Sequence, residues 1–259
     1  GADMVIKPGG GAIELKLGYN WELDRYDDAI NMDVDQHRFR FVGSWRFYPL
    51  SYVFIESTFD MLVYPNAETD SGGSLGNYRA ATPLRASAGV SGYFTERVAL
   101  LLRVGYGNSL LEEQAAAPDN FEFVVGMAQL SFRFGQGTVL HVGGAHDFEP
   151  VIFGGYRSFY RGYLSLDQRL GSFGMLHLDA AYDYREYGVW SPYPVDVPNA
   201  GNVTPQVSES QRQDARLRAG MLVDFNVHRA FGITLGYRFD KVLTDYNIVI
   251  NSPDYDAQS

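Results

Sequence analysis

The 259-residue chain contains no cysteine, which excludes a disulfide framework, a thiolate metal site and a thiol nucleophile. Long hydrophobic runs are missing too. The longest unbroken aliphatic stretch is VALLL at 98–102, far short of the roughly 18 apolar residues of a spanning helix, so the chain is no helical membrane protein. The opening GADMVIKPGGG has neither the charged start nor the apolar stretch of an export signal, so the chain reads as cytoplasmic or already processed. Lysine is nearly absent. Lys7, Lys16 and Lys241 stand against eighteen arginines, a bias that suits guanidinium groups held in fixed, multiply hydrogen-bonded positions. A net charge of −10 and a sequence pI near 4.9 exclude nucleic acid as an expected partner, because counterion release needs clustered basic groups.

What the sequence does have is alternation. In 216–240, RLRAGMLVDFNVHRAFGITLGYRFD, Leu217, Ala219, Met221, Val223 and Phe225 and then Phe231, Ile233, Leu235, Tyr237 and Phe239 take every second position. Arg216, Arg218, Asp224, Arg238 and Asp240 sit between them. The same period of two recurs near 13–23, 38–47, 52–64, 82–94, 98–107, 121–134, 138–147, 157–170 and 175–185. With the two halves of 216–240 this predicts eleven amphipathic strands. Several run to ten residues or more, against a usual strand of about 5 to 6.

The connections alternate as well. Tight links at YPLS, TER, GQG, GSFG and NVHR take turns with long polar segments near 24–36, 65–77, 108–119, 148–156 and 186–212. Short turns therefore gather at one end of the sheet and long loops at the other. Apolar faces turned inward around a dry core would also alternate. That arrangement fails on volume, since small barrels fill their interior only near about 8 strands, and a sandwich does not sort its loops by length. Over the stretches read, the apolar face carries no expected Asp, Glu, Lys or Arg. Trp21, Tyr19, Phe47, Phe94, Tyr106, Phe134, Tyr184, Phe225 and Phe239 lie toward strand ends, where membrane proteins place aromatic girdles.

These features together resemble the bacterial outer-membrane β-barrel class. The resemblance is to an architecture and carries no family-specific motif. It implies an all-β fold, a transmembrane antiparallel up-and-down β-barrel of about 12 strands in the outer membrane of a Gram-negative cell, with a periplasmic N-terminus and extracellular long loops. The expected boundaries are an N-terminal periplasmic segment at 1–11, the barrel at 12–243, and 244–259 as an outer loop leading to a closing strand. Eleven strands are visible and such barrels have an even number, so the twelfth is expected to be missing from the sequence. The rival is that Tyr246–Asn251 or the N-terminal MVIKP pairs at the closing position.

The polar faces bring thirteen basic and eleven acidic groups to the interior, so the acidic excess lies in the loops. Those loop carboxylates could hold Ca²⁺ or Mg²⁺ bridging to lipopolysaccharide. DRYDDAINMDVD lacks the spacing and glycine of a calcium loop, however, and a solvated acidic surface is the expectation, with no cofactor. Arg38, Arg40, Arg46, Glu56, Asp60, Arg216 and Arg218 are the candidate lumen and selectivity residues, either as a salt-bridged wall or as a constriction that sorts solutes. His141 with Asp147, and His177 with Asp179, resemble a base and its orienting acid. No serine stands beside either in sequence, so an enzyme is not the expectation. The expected function is a narrow porin-like channel for small polar or charged solutes. The alternatives are a docking barrel that meets envelope proteins through its outer loops, supported by the 27-residue segment Glu186–Arg212, and an outer-membrane hydrolase.

Overall fold

The computed structural model describes residues 1–25, 33–65, 81–111, 120–151, 155–188, 213–228 and 231–244. Among them there is no α-helix. Twelve antiparallel strands form one sheet in strict chain order: β1 (Ala2–Ile6), β2 (Ile13–Asp24), β3 (Val34–Tyr48), β4 (Ser51–Val63), β5 (Leu84–Thr95), β6 (Val98–Asn108), β7 (Glu122–Phe134), β8 (Thr138–Val151), β9 (Gly155–Arg169), β10 (Gly174–Tyr187), β11 (Gln213–His228) and β12 (Phe231–Thr244). The strands follow from the alternation of β-branched, aromatic and leucine residues with polar ones, which fits a pleated surface with two different faces. Tight turns close them where the chain can take positive φ, as at Gly135 (φ 65°) and Gly171 (φ 66°).

The eleven strands expected from the sequence are β2 to β12. The twelfth, expected to be missing from the sequence, is present at the N-terminus, in the stretch that holds the rival MVIKP. Residues 2–6, within the stretch read as an N-terminal segment, pair with β2 from Ala2↔Tyr19 to Ile6↔Leu15. β1 and β12 are the two edges of the sheet, and the sheet is not closed between them. Tyr246–Asn251, the other expected partner, lies outside the described residues, as do most of Glu186–Arg212 and of the acidic loops. The segment near 148–156, expected as a long link, is largely ladder, because β8 and β9 stay paired out to Val151↔Gly155.

The sheet is strongly curved, with its polar face on the inside. Arg85 on β5 donates from Nε to Asp147 Oδ1 on β8 at 2.8 Å. Three ladder steps in a flat sheet would put these strands about 14 Å apart, so only curvature toward the polar face brings the pair together. Burial follows the curvature. Asp60, Asp183, Arg185 and Asp214 are buried, while Leu102, Val104, Val142, Leu164, Leu217 and Leu235 on the opposite face are each more than 40 % exposed.

The one apolar cluster among the described residues has a local cause. β7 and β8 are paired only from Phe134↔Thr138 to Gly126↔His146, and beyond that point each strand keeps only its other neighbour. Phe121, Val125 and Phe148 pack there, with Tyr156 against them, and the Phe121 and Phe148 rings stack at 4.4 Å. Gly107 leaves the room, since a Cβ on it would stand 2.5 Å from the Phe148 ring.

Ladder registers also locate four charges on the convex, apolar face: Asp35 opposite Leu23 and Val63, Glu122 on the face of Tyr106, Glu186 on the face of Tyr184, and Lys241 opposite Leu217. Glu122 departs from the charge-free face expected of that stretch, and its carboxylate accepts from the Tyr106 hydroxyl at 2.8 Å. All four lie at the loop ends of their strands. At the turn end the same face carries exposed Trp45, Phe47, Phe94, Phe134 and Phe231. Between these two borders the described residues of the convex face include no Asp, Glu, Lys or Arg, and polar side chains there are few, among them His37, Ser57 and His146.

Candidate functional site

The concave face holds two groups of charges. On β3 and β4, Arg38 and Asp60 are ladder partners, and the guanidinium grips the carboxylate from Nε at 2.8 Å and Nη2 at 3.2 Å. Two residues nearer the turn end, Arg40 Nε donates to Glu56 Oε1 at 2.9 Å. Arg103 on β6 reaches the other oxygen of Glu56 at 3.3 Å, so one carboxylate ties three strands together. Period two puts 38, 40, 56 and 60 on one face, and the antiparallel register sets acids against bases. Such planar, bidentate contacts are what guanidinium does and ammonium does not.

Glu56, Arg40 and Arg103 stand between two cavities on the concave side. One, of about 450 Å³, opens toward the turn end and is bordered by Glu14, Lys16 and Arg46 as well. The other, of about 410 Å³, lies toward the loop end and is bordered by Arg38, Asp60, Arg85, Asp147 and Glu149 in addition. The turn-end cavity thus has four basic groups against two acidic ones, and the loop-end cavity four against four. Lys16 and Lys7 both pair with Glu14, at 2.9 and 3.0 Å. Arg46 forms no ion pair with a described residue and leaves its charge to the cavity.

The second group lies on β9 to β12. Asp183 has no exposed surface and meets three guanidiniums: Arg161, its ladder partner on β9, at 2.6 and 3.2 Å, Arg218 at 3.0 Å and Arg185 at 3.3 Å. Arg216 grips Asp240 with two nitrogens. Of the seven candidate lumen residues, Arg38, Arg40, Arg46, Glu56 and Asp60 gather on one side of the concave face. Arg216 and Arg218 lie on the other, and no ion pair among described residues links the two sets.

Sequence reasoning picked out neither Arg85 with Asp147 nor Arg103 with Glu56, because both join strands that are not neighbours. Single-strand periodicity carries no information on curvature. The histidine pairings also differ from those expected. Asp147 is taken by Arg85, and His141 instead lies 2.7 Å from Ser131 Oγ and 3.6 Å from Asp167. His177 hydrogen-bonds Asp167, with Asp179 farther off at 4.0 Å. A signal for this was available in the hairpins, since Ser131 and His141 are equidistant from Gln136 in the GQG turn, and Asp167 and His177 from Ser172 in the GSFG turn. Among the described residues no group of His, Asp and Glu could hold a metal ion. Comparison of the chain with protein-family models, with curated proteins and with solved structures finds no match.

Proposed function

We propose that this chain is an outer-membrane β-barrel whose lumen is a narrow passage for small polar or charged solutes. The observation that carries the reading is the inversion of the usual side-chain distribution. Charged groups are buried on the concave face and large apolar groups are exposed on the convex one, which suits hydrocarbon outside and water inside. In water such a surface would be an aggregation hazard. Strands of 11 to 16 residues in β2 to β12 exceed the roughly 9 to 11 that a tilted strand needs to cross a bilayer. The four charges at the loop border and the aromatic residues at the turn border mark the two headgroup levels. Lys241 at such a level can extend its ammonium outward.

In lipid an unpaired edge costs several kcal/mol per backbone group, so the proposed barrel closes between β1 and β12. Strand parity makes these two antiparallel, and twelve is the even number that closure asks for. With the short turns at the periplasmic end, the long loops face outward toward lipopolysaccharide, and β1 runs from Ala2 beside Tyr19 toward the turn end. The excess of basic groups at the turn-end cavity favours anions, and the Arg40, Glu56 and Arg103 contact is the proposed selectivity element. Reconstitution of the purified chain into planar bilayers tests this: discrete conductance steps are expected in potassium chloride, with a reversal potential displaced toward the anion. A protein that inserts and gives no conductance above the bare membrane overturns the reading.

A further inference from the structure

One constellation on the polar face borders neither of the two cavities described above. Ser131 on β7 and His141 on β8 are ladder partners, and the serine hydroxyl lies 2.7 Å from Nδ1 of the imidazole. On the other side of the same ring, Nε2 lies 3.6 Å from Asp167 Oδ2 on β9. The second oxygen of that carboxylate is held by His177 Nδ1 on β10. A carboxylate beside Nε2 favours the tautomer with its proton there, which leaves the Nδ1 lone pair to accept the serine proton. Hydroxyl, imidazole and carboxylate in line are what nucleophilic acyl transfer requires. Catalytic contacts of this kind are often longer in the absence of substrate than in the reacting complex.

A fourth group completes the arrangement. Gln129 Nε2 lies 3.2 Å from Ser131 Oγ and 3.3 Å from His141 Nδ1. Its orientation is fixed from behind, because the Tyr163 hydroxyl on β9 donates to Gln129 Oε1 at 2.8 Å. Tyr163 can reach it only by lying across Gly143 of β8, where a Cβ would stand 2.4 Å from the phenol. The missing side chain at 143 therefore sets the amide of Gln129 with its N–H groups toward the serine.

We propose that Ser131 is the nucleophile of an esterase site, with His141 as its base, Gln129 as donor to the carbonyl oxygen and Asp167 as a positioning residue. Ser131 Oγ bonds to the ester carbonyl carbon while its proton passes to His141. The tetrahedral oxygen is stabilised by Gln129 N–H, and the C–O bond to the alcohol breaks as that alkoxide takes the proton from His141. Water, deprotonated by His141, then attacks the acyl-serine. The carboxylic acid leaves and Oγ recovers its proton. The substrate class is a water-soluble, short-chain carboxylic ester, because the cluster opens onto the polar face and away from the apolar one. An ester is favoured over an amide because backbone N–H groups here are committed to the ladders with β6 and β8, leaving a side-chain amide as the donor. The site stands on the continuous ladders of β7 to β10 and does not depend on barrel closure or on conductance.

The test uses the full chain folded in detergent micelles, a fluorophosphonate probe read by mass spectrometry, and p-nitrophenyl butyrate as substrate. Labelling at Ser131 and hydrolysis above that of the heat-denatured protein are expected. Ser131→Ala should lose both while keeping the folded gel mobility and any conductance. Ser165→Ala, at the ladder partner of His141 on β9, should lose neither. Asp167→Asn should lower kcat by about 10²–10⁴-fold with KM unchanged. A wild-type chain that is not labelled at Ser131, or labelling and hydrolysis that persist in Ser131→Ala, overturns the proposal.

Discussion

Arg161 holds Asp183 across the β9–β10 ladder by two parallel hydrogen bonds, Nε to Oδ1 at 2.6 Å and Nη2 to Oδ2 at 3.2 Å. The carboxylate is fully enclosed, and Arg218 and Arg185 approach the same two oxygens. One anion therefore offsets charge from three consecutive strands. Removing it while keeping its shape leaves three guanidiniums without their shared partner. Asp183→Asn is expected to destabilise the fold by about 3–5 kcal/mol, as breaking a buried ion pair does, read as a lowered urea midpoint in micelles. Asp183→Asn combined with Arg161→Gln and Arg218→Gln should recover a large part of that loss, since the repulsion then disappears with the pair.

The orientation of the sheet is open to a direct comparison of its faces. Leu102 lies mid-strand on the convex side between Val90 and Ala128, and Met127 borders the turn-end cavity on the concave side. If hydrocarbon meets the convex face, Leu102→Arg costs about 2–4 kcal/mol in lipid vesicles. Met127→Arg, in a wet lumen, costs well under half of that. Equal losses for the two variants, measured by urea unfolding in the same vesicles, would sink the lipid-facing assignment.

Much of this fold is legible in the sequence because each strand declares its own two faces. Leu217 to Phe225 alternate with Arg216, Arg218 and Asp224 whatever the neighbours do, and turns such as GQG and GSFG fix the hairpin registers. The N-terminal strand was harder to read. Ala2–Ile6 has five residues, and MVI is a continuous apolar run without alternation, so only pairing with Leu15–Tyr19 reveals it as a strand. Contacts that depend on curvature were out of reach for another reason. Arg85 and Asp147 are 62 positions apart and on strands that do not touch in a flat sheet. Ser131 was overlooked because its partner His141 is adjacent only across the hairpin, and a serine among polar-face residues gives no signal of its own.

Closure of the sheet predicts specific cross-links, and a chain without cysteine makes them clean to observe. Introduced cysteines join only when their Cα atoms come within about 7 Å. Met4→Cys on β1 is to be combined in turn with cysteine at Ile233, Leu235, Tyr237 and Phe239 on β12, positions that share the convex face with Met4 by ladder parity. One or two neighbouring combinations should oxidise to a disulfide in native membranes, visible as a faster band that reducing agent removes. If no combination across β12 joins while a Tyr19→Cys and Phe39→Cys control on β2 and β3 does, the edges are not in contact.

Glu56 offers the sharpest test of selectivity, because Arg40, Glu56 and Arg103 border both concave cavities. In the native arrangement its carboxylate offsets much of the two guanidiniums that hold it. Glu56→Gln keeps the volume and removes the charge, leaving two unneutralised cations at the boundary through which a solute would have to pass. The reversal potential in a salt gradient should move further toward the anion, by more than Arg46→Ala moves it back, since Arg46 stands at the cavity border and salt screens it over about 10 Å at 0.1 M. Arg103→Ala should act in the opposite sense, raising conductance by opening the gap between β4 and β6 and shifting selectivity toward cations. A reversal potential that ignores all three substitutions would place the constriction elsewhere on the concave face.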